Sequence, residues 1–337
     1  MLHDALLYDT LDNDQVQCNL CSHRCRIEAG RFGICQVREN RDGKLFTHVY
    51  GNLIAEHVDP IEKKPLYHFF PGSTAYSIAT PGCNFRCEWC QNWQISQMPR
   101  EMKLPERERI QPEQIVHRAL RNGSRSIAYT YTEPTIFFEY AQDVSILAHQ
   151  EGLKNVYVTN GFMTPEMLEM AAPYLDAANV DVKAFQDKTY RTLMGGRLES
   201  VLESCRLMKS LGIWLEVTTL IVPGINDDPA ELEGLARFIA DDLGTDTPWH
   251  LSRFFPQYKM QDRGPTAGSI LEQAEHIGKQ AGLDYIYLGN ISGPSNTYCK
   301  HCGSELISRN GYDTQVTGID PSGKCISCGT RFDGILV

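Results

Sequence analysis

The cysteines of this 337-residue chain constrain its fold more than any other feature. There are twelve of them, and all but Cys205 fall into three tight groups. In a reducing compartment, thiols grouped in this way indicate metal or cluster binding rather than a framework of disulfides. Cys205 lies in the helix-like run LESVLESCRLMKSLG, where a free cysteine packs as a small hydrophobic residue. The three groups are Cys18, Cys21, Cys25 and Cys35; Cys83, Cys87 and Cys90; and Cys299, Cys302, Cys325 and Cys328.

The N-terminus and the charge balance exclude several function classes. The opening MLHDALLYDTLDNDQ carries acidic residues and no long apolar run, which predicts no signal peptide. No stretch approaches the roughly 20 apolar residues that span a bilayer. The formal net charge of −10 argues against non-specific binding of nucleic acid. We therefore expect a cytoplasmic protein without a membrane or nucleic-acid partner.

The central part of the chain alternates short apolar runs with amphipathic runs. The amphipathic runs carry helix start signals at Pro112, Thr164, Asp228 and Ser269. Such alternation predicts an α/β fold with a parallel sheet, either curled into a barrel or open. The predicted strands are 75–80, 126–132, 155–160, 178–184, 214–222, 250–255 and 285–291.

The pattern divides the chain into three parts. Residues 1–72 form an irregular, Cys-rich N-terminal head, and residues 73–295 form the α/β domain. Residues 296–337 carry two CxxC pairs and no strand–helix alternation, so they form a small metal-binding tail.

The segment CNFRCEWC follows the first predicted strand of the α/β domain directly. Three thiolates on one tight loop suit three irons of a [4Fe–4S] cluster and leave the fourth iron open to a ligand. A structural zinc site requires a fourth ligand, which would have to come from elsewhere in the chain. The three cysteines, Cys83, Cys87 and Cys90, are therefore the candidate catalytic centre.

With Trp89 before its last cysteine, this segment resembles the CxxxCx(aromatic)C signature of the radical S-adenosylmethionine (SAM) superfamily. The resemblance implies a partial (β/α)6 barrel of the TIM type. It also implies that the open iron chelates the amino and carboxylate groups of SAM. Reductive cleavage of SAM then yields a 5′-deoxyadenosyl radical that abstracts hydrogen from a substrate.

The later strand ends resemble the branch of glycyl-radical-enzyme activases, which includes pyruvate formate-lyase activating enzyme. Glu133 stands where that branch carries a Gly-Gly-Glu motif contacting the amino group of SAM, although Tyr131-Thr132 replaces the two glycines. The branch uses an Asp and a Lys at the fourth strand for a monovalent cation and the SAM carboxylate. Before TNG, this chain has Val158 where the activases carry an Asp, so the resemblance does not decide whether a cation site is present. The implied SAM-binding residues are Trp89, Glu133, Thr159, Asn160, Asp181 and Lys183.

Structural roles compete with these assignments. Glu133 precedes PTIFFEYAQDV and is also suited to cap the N-terminus of that helix. Asp181 and Lys183 also suit a charge pair at the end of a strand.

The head and the tail each suit more than one metal. The head cysteines fit either one tetrahedral zinc ion or a second iron–sulfur cluster. The tail pattern CKHCG…CISCG is typical of zinc ribbons and rubredoxins, with Gly303 and Gly329 at the knuckle turns. Structural zinc is favoured in the tail, and a rubredoxin-type iron that carries electrons is the alternative.

Nearly the whole chain resembles the radical SAM component of the AmmeMemoRadiSam system. The segments that carry this resemblance are the Cys-rich head, GRFGICQVREN, YTYTEPTIFFEY, SRFFPQY and the Cys-pair tail. It implies Memo-like and AMMECR-domain partners, and an electron donor such as a flavodoxin or ferredoxin. Three functions remain open: a glycyl-radical activase, a radical SAM enzyme that modifies another peptide or a small molecule, and a non-catalytic iron–sulfur or zinc scaffold or electron-transfer partner.

Overall fold

The computed structural model describes residues 2–102, 104 and 107–336, and these form four β-sheets. The strands are β1 (His3–Asp4), β2 (Tyr8–Thr10), β3 (Val16–Cys18), β4 (Arg26–Ile27), β5 (Arg38–Arg41), β6 (Lys44–Thr47), β7 (Ala55–Pro60), β8 (Thr74–Ala79), β9 (Ser126–Tyr129), β10 (Lys154–Thr159), β11 (Ala177–Asp181), β12 (Trp214–Ile221), β13 (Trp249–Arg253), β14 (Ile286–Gly289), β15 (Thr297–Tyr298), β16 (Glu305–Asn310) and β17 (Asp313–Val316).

Helices fill the connections between the central strands. In the described part of the chain, no helix is both long enough and apolar enough to cross a membrane. The α-helices are α1 (Trp93–Ser96), α2 (Met98–Glu101), α3 (Pro112–Arg121), α4 (Phe138–Gln150), α5 (Pro165–Ala171), α6 (Asp187–Thr189), α7 (Leu198–Ser210), α8 (Pro229–Phe238) and α9 (Gly268–Gln280). Short 3₁₀ or π segments lie at Ile61–Lys63, Pro134–Phe137, Tyr190–Met194 and Ile239–Leu243.

The central sheet orders its eight strands β14-β13-β12-β11-β10-β9-β8-β7. Strands β8 to β14 are parallel, and β7 pairs with β8 in the antiparallel sense. The seven predicted runs are these seven parallel strands, which confirms the α/β class and the parallel sheet. Closure into a barrel remains a prediction, because the sheet order is linear.

Local sequence signals explain where the helices begin. The Thr164 hydroxyl accepts from the Met167 N–H at 3.3 Å and caps α5. The Asp228 carboxylate accepts from the N–H groups of the first turn of α8 at 3.0 and 3.2 Å. Side chains of this kind satisfy N–H groups that have no partner within the helix. Cys205 is fully buried in α7, which confirms its predicted packing role.

The head is more regular than its sequence indicates. Strands β2-β3-β4 form one antiparallel sheet and β1-β6-β5 another. The Asn40 amide nitrogen donates to the carbonyls of Asp14 and Ile27, both at 2.7 Å, and so joins the two sheets. Residues 55–60, which the sequence places in the head, form β7 of the central sheet.

The tail docks beneath the central sheet, where the parallel strands begin. Its strands β15, β16 and β17 form a small antiparallel sheet. The Phe70 N–H donates to the Ile335 carbonyl, and the Ile335 N–H donates to the His68 carbonyl, both at 2.7 Å. Arg309, 1% exposed, donates to the Tyr67 carbonyl at 2.6 Å. The tail is therefore attached through a buried polar interface.

Candidate functional site

The loop with Cys83, Cys87 and Cys90 follows β8 at the carboxyl edge of the central sheet. Cys87 is buried, and the other two thiols are partly buried. The Phe85 N–H donates to the Cys83 sulfur at 3.3 Å, and the Ser96 hydroxyl lies 3.3 Å from the Cys90 sulfur. Carboxyl ends of parallel strands are where such folds carry their chemistry.

A clamp that the sequence did not reveal holds this loop. The Arg100 guanidinium donates to the Cys83 carbonyl at 2.9 Å and to the Phe85 carbonyl at 3.1 Å. Gln97 donates to the same Phe85 carbonyl at 3.2 Å. Because these contacts use backbone acceptors, the clamp leaves no motif that a sequence pattern would show.

Glu133 lies just beyond β9 and organises the neighbouring strand ends. Its carboxylate accepts from the backbone and hydroxyl of Thr135, at 3.1 and 2.6 Å, and from the Thr159 hydroxyl at 2.7 Å. Its second oxygen accepts from the Asn160 N–H at 2.8 Å. The side chain is 1% exposed, so little of it is left for a ligand. Glu133 therefore caps the 3₁₀ turn Pro134–Phe137 and positions Thr159 and Asn160.

Asn160 connects the hydrogen bonds around Glu133 to the cysteine loop. Its amide nitrogen donates to the Asn84 side-chain oxygen at 2.7 Å and lies 3.8 Å from the Cys83 sulfur. Trp89, also predicted in the site, is 3% exposed and packs in the core.

Asp181 and Lys183 lie at the end of β11, close to Cys87. The Lys183 ammonium donates to the Asp181 carboxylate at 2.8 Å, so the alternative of a strand-end charge pair is realised. Burial alone would lower the pKa of Lys183, but the attraction of Asp181 and Cys87 raises it above its usual range. The Lys183 ammonium, paired with Asp181, lies near Cys87 and is suited to bind a carboxylate.

The Cys83 and Cys87 thiols are protonated when no metal compensates their charge. Burial, and then the neighbouring charge of Glu133, raises the pKa of Cys83 well above its usual value. Burial raises the pKa of Cys87 to about 12, although Lys183 acts to lower it. Metals bind the thiolate form of cysteine. The positive charge of a bound metal centre would therefore stabilise the deprotonated thiols of this loop.

The spacing of the tail thiols suits the tetrahedral coordination of a single ion. The four sulfur atoms all lie within 4.8 Å of one another. The pairs Cys299–Cys328 and Cys302–Cys325 are 3.6 and 3.7 Å apart. A tetrahedral ion with bonds of about 2.3 Å to sulfur places its ligands about 3.8 Å apart. Hydrogen bonds from Ser304 lower the pKa of Cys302 to about 6, which favours the thiolate.

The four head thiols line one cavity beside the cysteine loop. Burial raises the pKa of Cys25 to about 11 and raises that of Cys35 as well. The cavity also meets His23, whose ring nitrogen lies 2.9 Å from the Asn84 carbonyl oxygen. The structure thus places two of the three cysteine groups at the carboxyl edge of the sheet and the third beneath it.

A parallel α/β sheet with three thiols and the Lys183 ammonium at its carboxyl edge is suited to an enzyme that binds a metal centre through thiolates. The chain belongs to the radical SAM superfamily, which residues 77–239 match.

The chain is also similar to individual relatives and solved structures. An uncharacterised protein of Methanocaldococcus jannaschii is 44% identical over 338 residues, which cover 99% of this chain and 100% of that protein. The GTP 3′,8-cyclase of Aquifex aeolicus is 24% identical over 261 residues, 69% of this chain and 78% of the cyclase. A radical SAM methyltransferase from Sphaerobacter thermophilus superposes with a TM-score of 0.51 at 18% identity, covering 65% of this chain and 67% of that one, which shows a shared fold.

The superfamily implies a [4Fe–4S] cluster and SAM, and the donor set fits both. Cys83, Cys87 and Cys90 supply three thiolates, the number that leaves one iron open. Lys183 supplies a cation near that loop, as a ligand with a carboxylate requires.

Proposed function

We propose that this protein cleaves SAM reductively at the Cys83 loop and abstracts hydrogen from a protein or small-molecule substrate at the carboxyl edge of the sheet. One observation supports the proposal: the ends of β8, β9, β10 and β11 are followed, at the same edge of the sheet, by three thiols, Glu133, Asn160 and the Asp181–Lys183 pair. Neighbouring parallel strands end at the same edge, so these groups act on one ligand.

Each residue has a distinct part in this proposal. Cys83, Cys87 and Cys90 hold the [4Fe–4S] cluster, which when bound supplies the electron that cleaves SAM. Lys183 binds the carboxylate of SAM, and Asp181 orients the ammonium. Glu133 acts through Thr159 and Asn160, which it holds in place by hydrogen bonds. The buried wall of the site excludes water from the reaction.

The substrate is proposed by class. An activase-like reaction on a protein glycine is the first candidate, on the resemblance of the strand-end motifs to the activases. The relationship to a GTP 3′,8-cyclase supports the second candidate, modification of a small molecule. Memo-like and AMMECR-domain proteins are proposed partners, and a flavodoxin or ferredoxin is the proposed electron donor. Co-elution of the purified proteins under anaerobic conditions tests the first two partners.

Formation of 5′-deoxyadenosine tests the proposal directly. The full chain is reconstituted anaerobically with iron and sulfide, and then receives SAM and dithionite. We expect the wild type to form 5′-deoxyadenosine and methionine in equal amounts. Cys205→Ala, which removes a thiol outside the three groups, should do the same. Cys87→Ala should form neither product and should keep its tail metal. A wild type that holds iron but forms no 5′-deoxyadenosine would support the scaffold function instead.

For the tail we propose structural zinc. Its four thiols leave no free coordination position, as in structural zinc sites. The tail also docks at the beginning of the strands, away from the cysteine loop, which disfavours a rubredoxin-type electron carrier there. Metal analysis decides between them: one zinc per tail is expected, and a red iron chromophore would contradict the proposal.

A further inference from the structure

The four head cysteines enclose a space instead of converging on one point. Cys18, Cys21, Cys25 and Cys35 line a single cavity whose remaining wall is mainly apolar. Among the described residues, the tail cysteines bring their sulfur atoms within 4.8 Å of one another, and neither the head cysteines nor the loop cysteines gather so closely. The head thiols therefore share the wider arrangement of the radical SAM loop. A cluster of several irons needs this wider arrangement, whereas a single ion needs the close spacing of the tail.

The surroundings of the head thiols suit a buried anionic cluster. The backbone N–H groups of His23, Ile34 and Val37 lie close to the sulfurs of Cys21, Cys25 and Cys35, respectively, and favour their thiolate forms. Hydrogen bonds to cluster sulfurs are among the features that set a reduction potential.

A buried cation lines the same cavity. Arg38 is 1% exposed and ion-paired with Glu139 at 2.9 Å. Its Nε atom has no hydrogen-bond partner among the described residues. A buried, unpartnered donor is costly unless a ligand compensates it. Four thiolates around four irons carry net negative charge, and the guanidinium offsets that charge.

Two side chains join the head cavity to the radical SAM loop. His23, between two head cysteines, contacts the Asn84 carbonyl beside Cys83 at 2.9 Å. Arg100 donates at 3.1 Å to the carbonyl of Ile34, which precedes Cys35, and at 2.9 Å to that of Cys83. A Cβ on Gly82 would lie 3.0 Å from the Val37 side chain, so that side chain packs directly against the Gly82 backbone. One layer of residues thus separates the two cysteine groups.

We infer that Cys18, Cys21, Cys25 and Cys35 bind a second [4Fe–4S] cluster, which passes single electrons to the cluster at Cys83, Cys87 and Cys90. A reduced flavodoxin or ferredoxin gives one electron to the head cluster. The head cluster is reoxidised when it reduces the loop cluster, and no bond or proton changes hands. The electron transfer rests on the proposed function, whereas the presence of the head cluster does not.

Iron counting tests the head site without any assay of SAM cleavage. The triple variant Cys83→Ala/Cys87→Ala/Cys90→Ala, reconstituted anaerobically as the full chain, should keep about four irons and four sulfides per chain. The Cys205→Ala control should hold about eight irons, as the wild type does. A triple variant that contains two zinc ions and no iron would overturn the inference.

Electron paramagnetic resonance of the reduced wild type tests the proximity of the clusters. Two neighbouring paramagnetic clusters should broaden each other's signals and relax faster than either does alone. The comparison is the sum of spectra from the triple variant and from Cys21→Ser/Cys25→Ser, which lacks the head site. A wild-type spectrum equal to that sum would overturn the electron transfer.

The choice of donor gives the kinetic test. Cys21→Ser/Cys25→Ser should lose SAM cleavage by about an order of magnitude with reduced flavodoxin and should retain it with dithionite, which reduces the loop directly. Unchanged turnover with flavodoxin, or equal loss with both reductants, would contradict the relay. If the wild type itself cleaves no SAM, the proposed function fails while the iron counts still decide the head site.

Discussion

Glu133 shows how one buried side chain determines the shape of a site that it contacts only indirectly. Its two oxygens hold Thr135 in the 3₁₀ turn and Thr159 and Asn160 at the end of β10. Burial raises its pKa, and the donors around it act in the opposite direction. The carboxylate is an acceptor on both oxygens, a property that an amide lacks.

Glu133→Gln should therefore weaken the hydrogen bonds around residue 133 and lower the free energy of unfolding. Whichever way the amide points, its NH2 group faces an N–H or O–H donor, and an unsatisfied buried donor costs about 1–3 kcal/mol. Urea unfolding of the apoprotein measures this loss. Glu166→Gln is the control, because its ion pair with Arg24 is exposed and worth at most about 1 kcal/mol. Unchanged stability with lost SAM affinity would instead indicate direct contact between Glu133 and SAM.

The beginnings of β12, β13 and β14 carry the buried network that receives the tail. Glu216 accepts from the backbone N–H groups of Tyr67 and His68 and pairs with His250 at 2.7 Å. The Nδ1 atom of His68 lies 2.6 Å from the Asp333 carbonyl oxygen, so it carries the proton. Nε2 then accepts from the Tyr287 hydroxyl at 2.6 Å. His68 is thus held neutral.

Burial lowers the pKa of His68 to about 4, which predicts an acid-sensitive interface. Below its unfolded pKa of about 6.5, the unfolded chain takes up a proton that the folded chain excludes. Stability should fall by up to about 3 kcal/mol as the pH drops from about 6.5 to about 4. His68→Asn keeps a donor for Asp333 and does not titrate, so its unfolding free energy should depend less on pH. Parallel pH curves for the two proteins would contradict this assignment.

The central sheet separates the tail thiols from the other two cysteine groups at the scale of the whole molecule. The head and the cysteine loop meet at its carboxyl edge, and the tail thiols lie beneath it. The tail nevertheless reaches into the core, because Arg309 stacks on Tyr67 at 4.4 Å and lies 3.9 Å from Glu62. Loss of the tail fold would expose this buried charge network.

Cys302→Ser should consequently affect more than the tail. Structural zinc contributes roughly 10–16 kcal/mol to small modules of this kind. We expect zinc loss, proteolysis near Gly311 and a lower thermal midpoint for the whole chain, while the iron–sulfur absorption persists. Ser327→Ala, an exposed change between two tail cysteines, should alter none of these. Iron lost in proportion to zinc would show that the cysteine groups at the carboxyl edge depend on the fold of the tail.

The sequence predicts best what local patterns encode. The parallel strands, the caps at Thr164 and Asp228 and the order of motifs along the strand ends follow from periodicity and residue type. The Arg100 clamp, the Arg38–Glu139 pair and the contact of His68 with Asp333 join residues far apart in the chain, and such contacts leave no local signal. The sequence did not predict the strands of the head, because they are only two to four residues long and too short to show an alternating pattern.

The two outer strands of the central sheet bear on aggregation. An edge strand with free N–H and C=O groups is a template for pairing with another chain. On one edge, β7 carries Glu56, His57, Asp59 and Pro60, and charged residues and proline discourage such pairing. On the other edge, β14 has four residues, too few for a long intermolecular ladder. The two outer strands therefore offer little template for recruiting further copies of the chain into fibres in a concentrated solution.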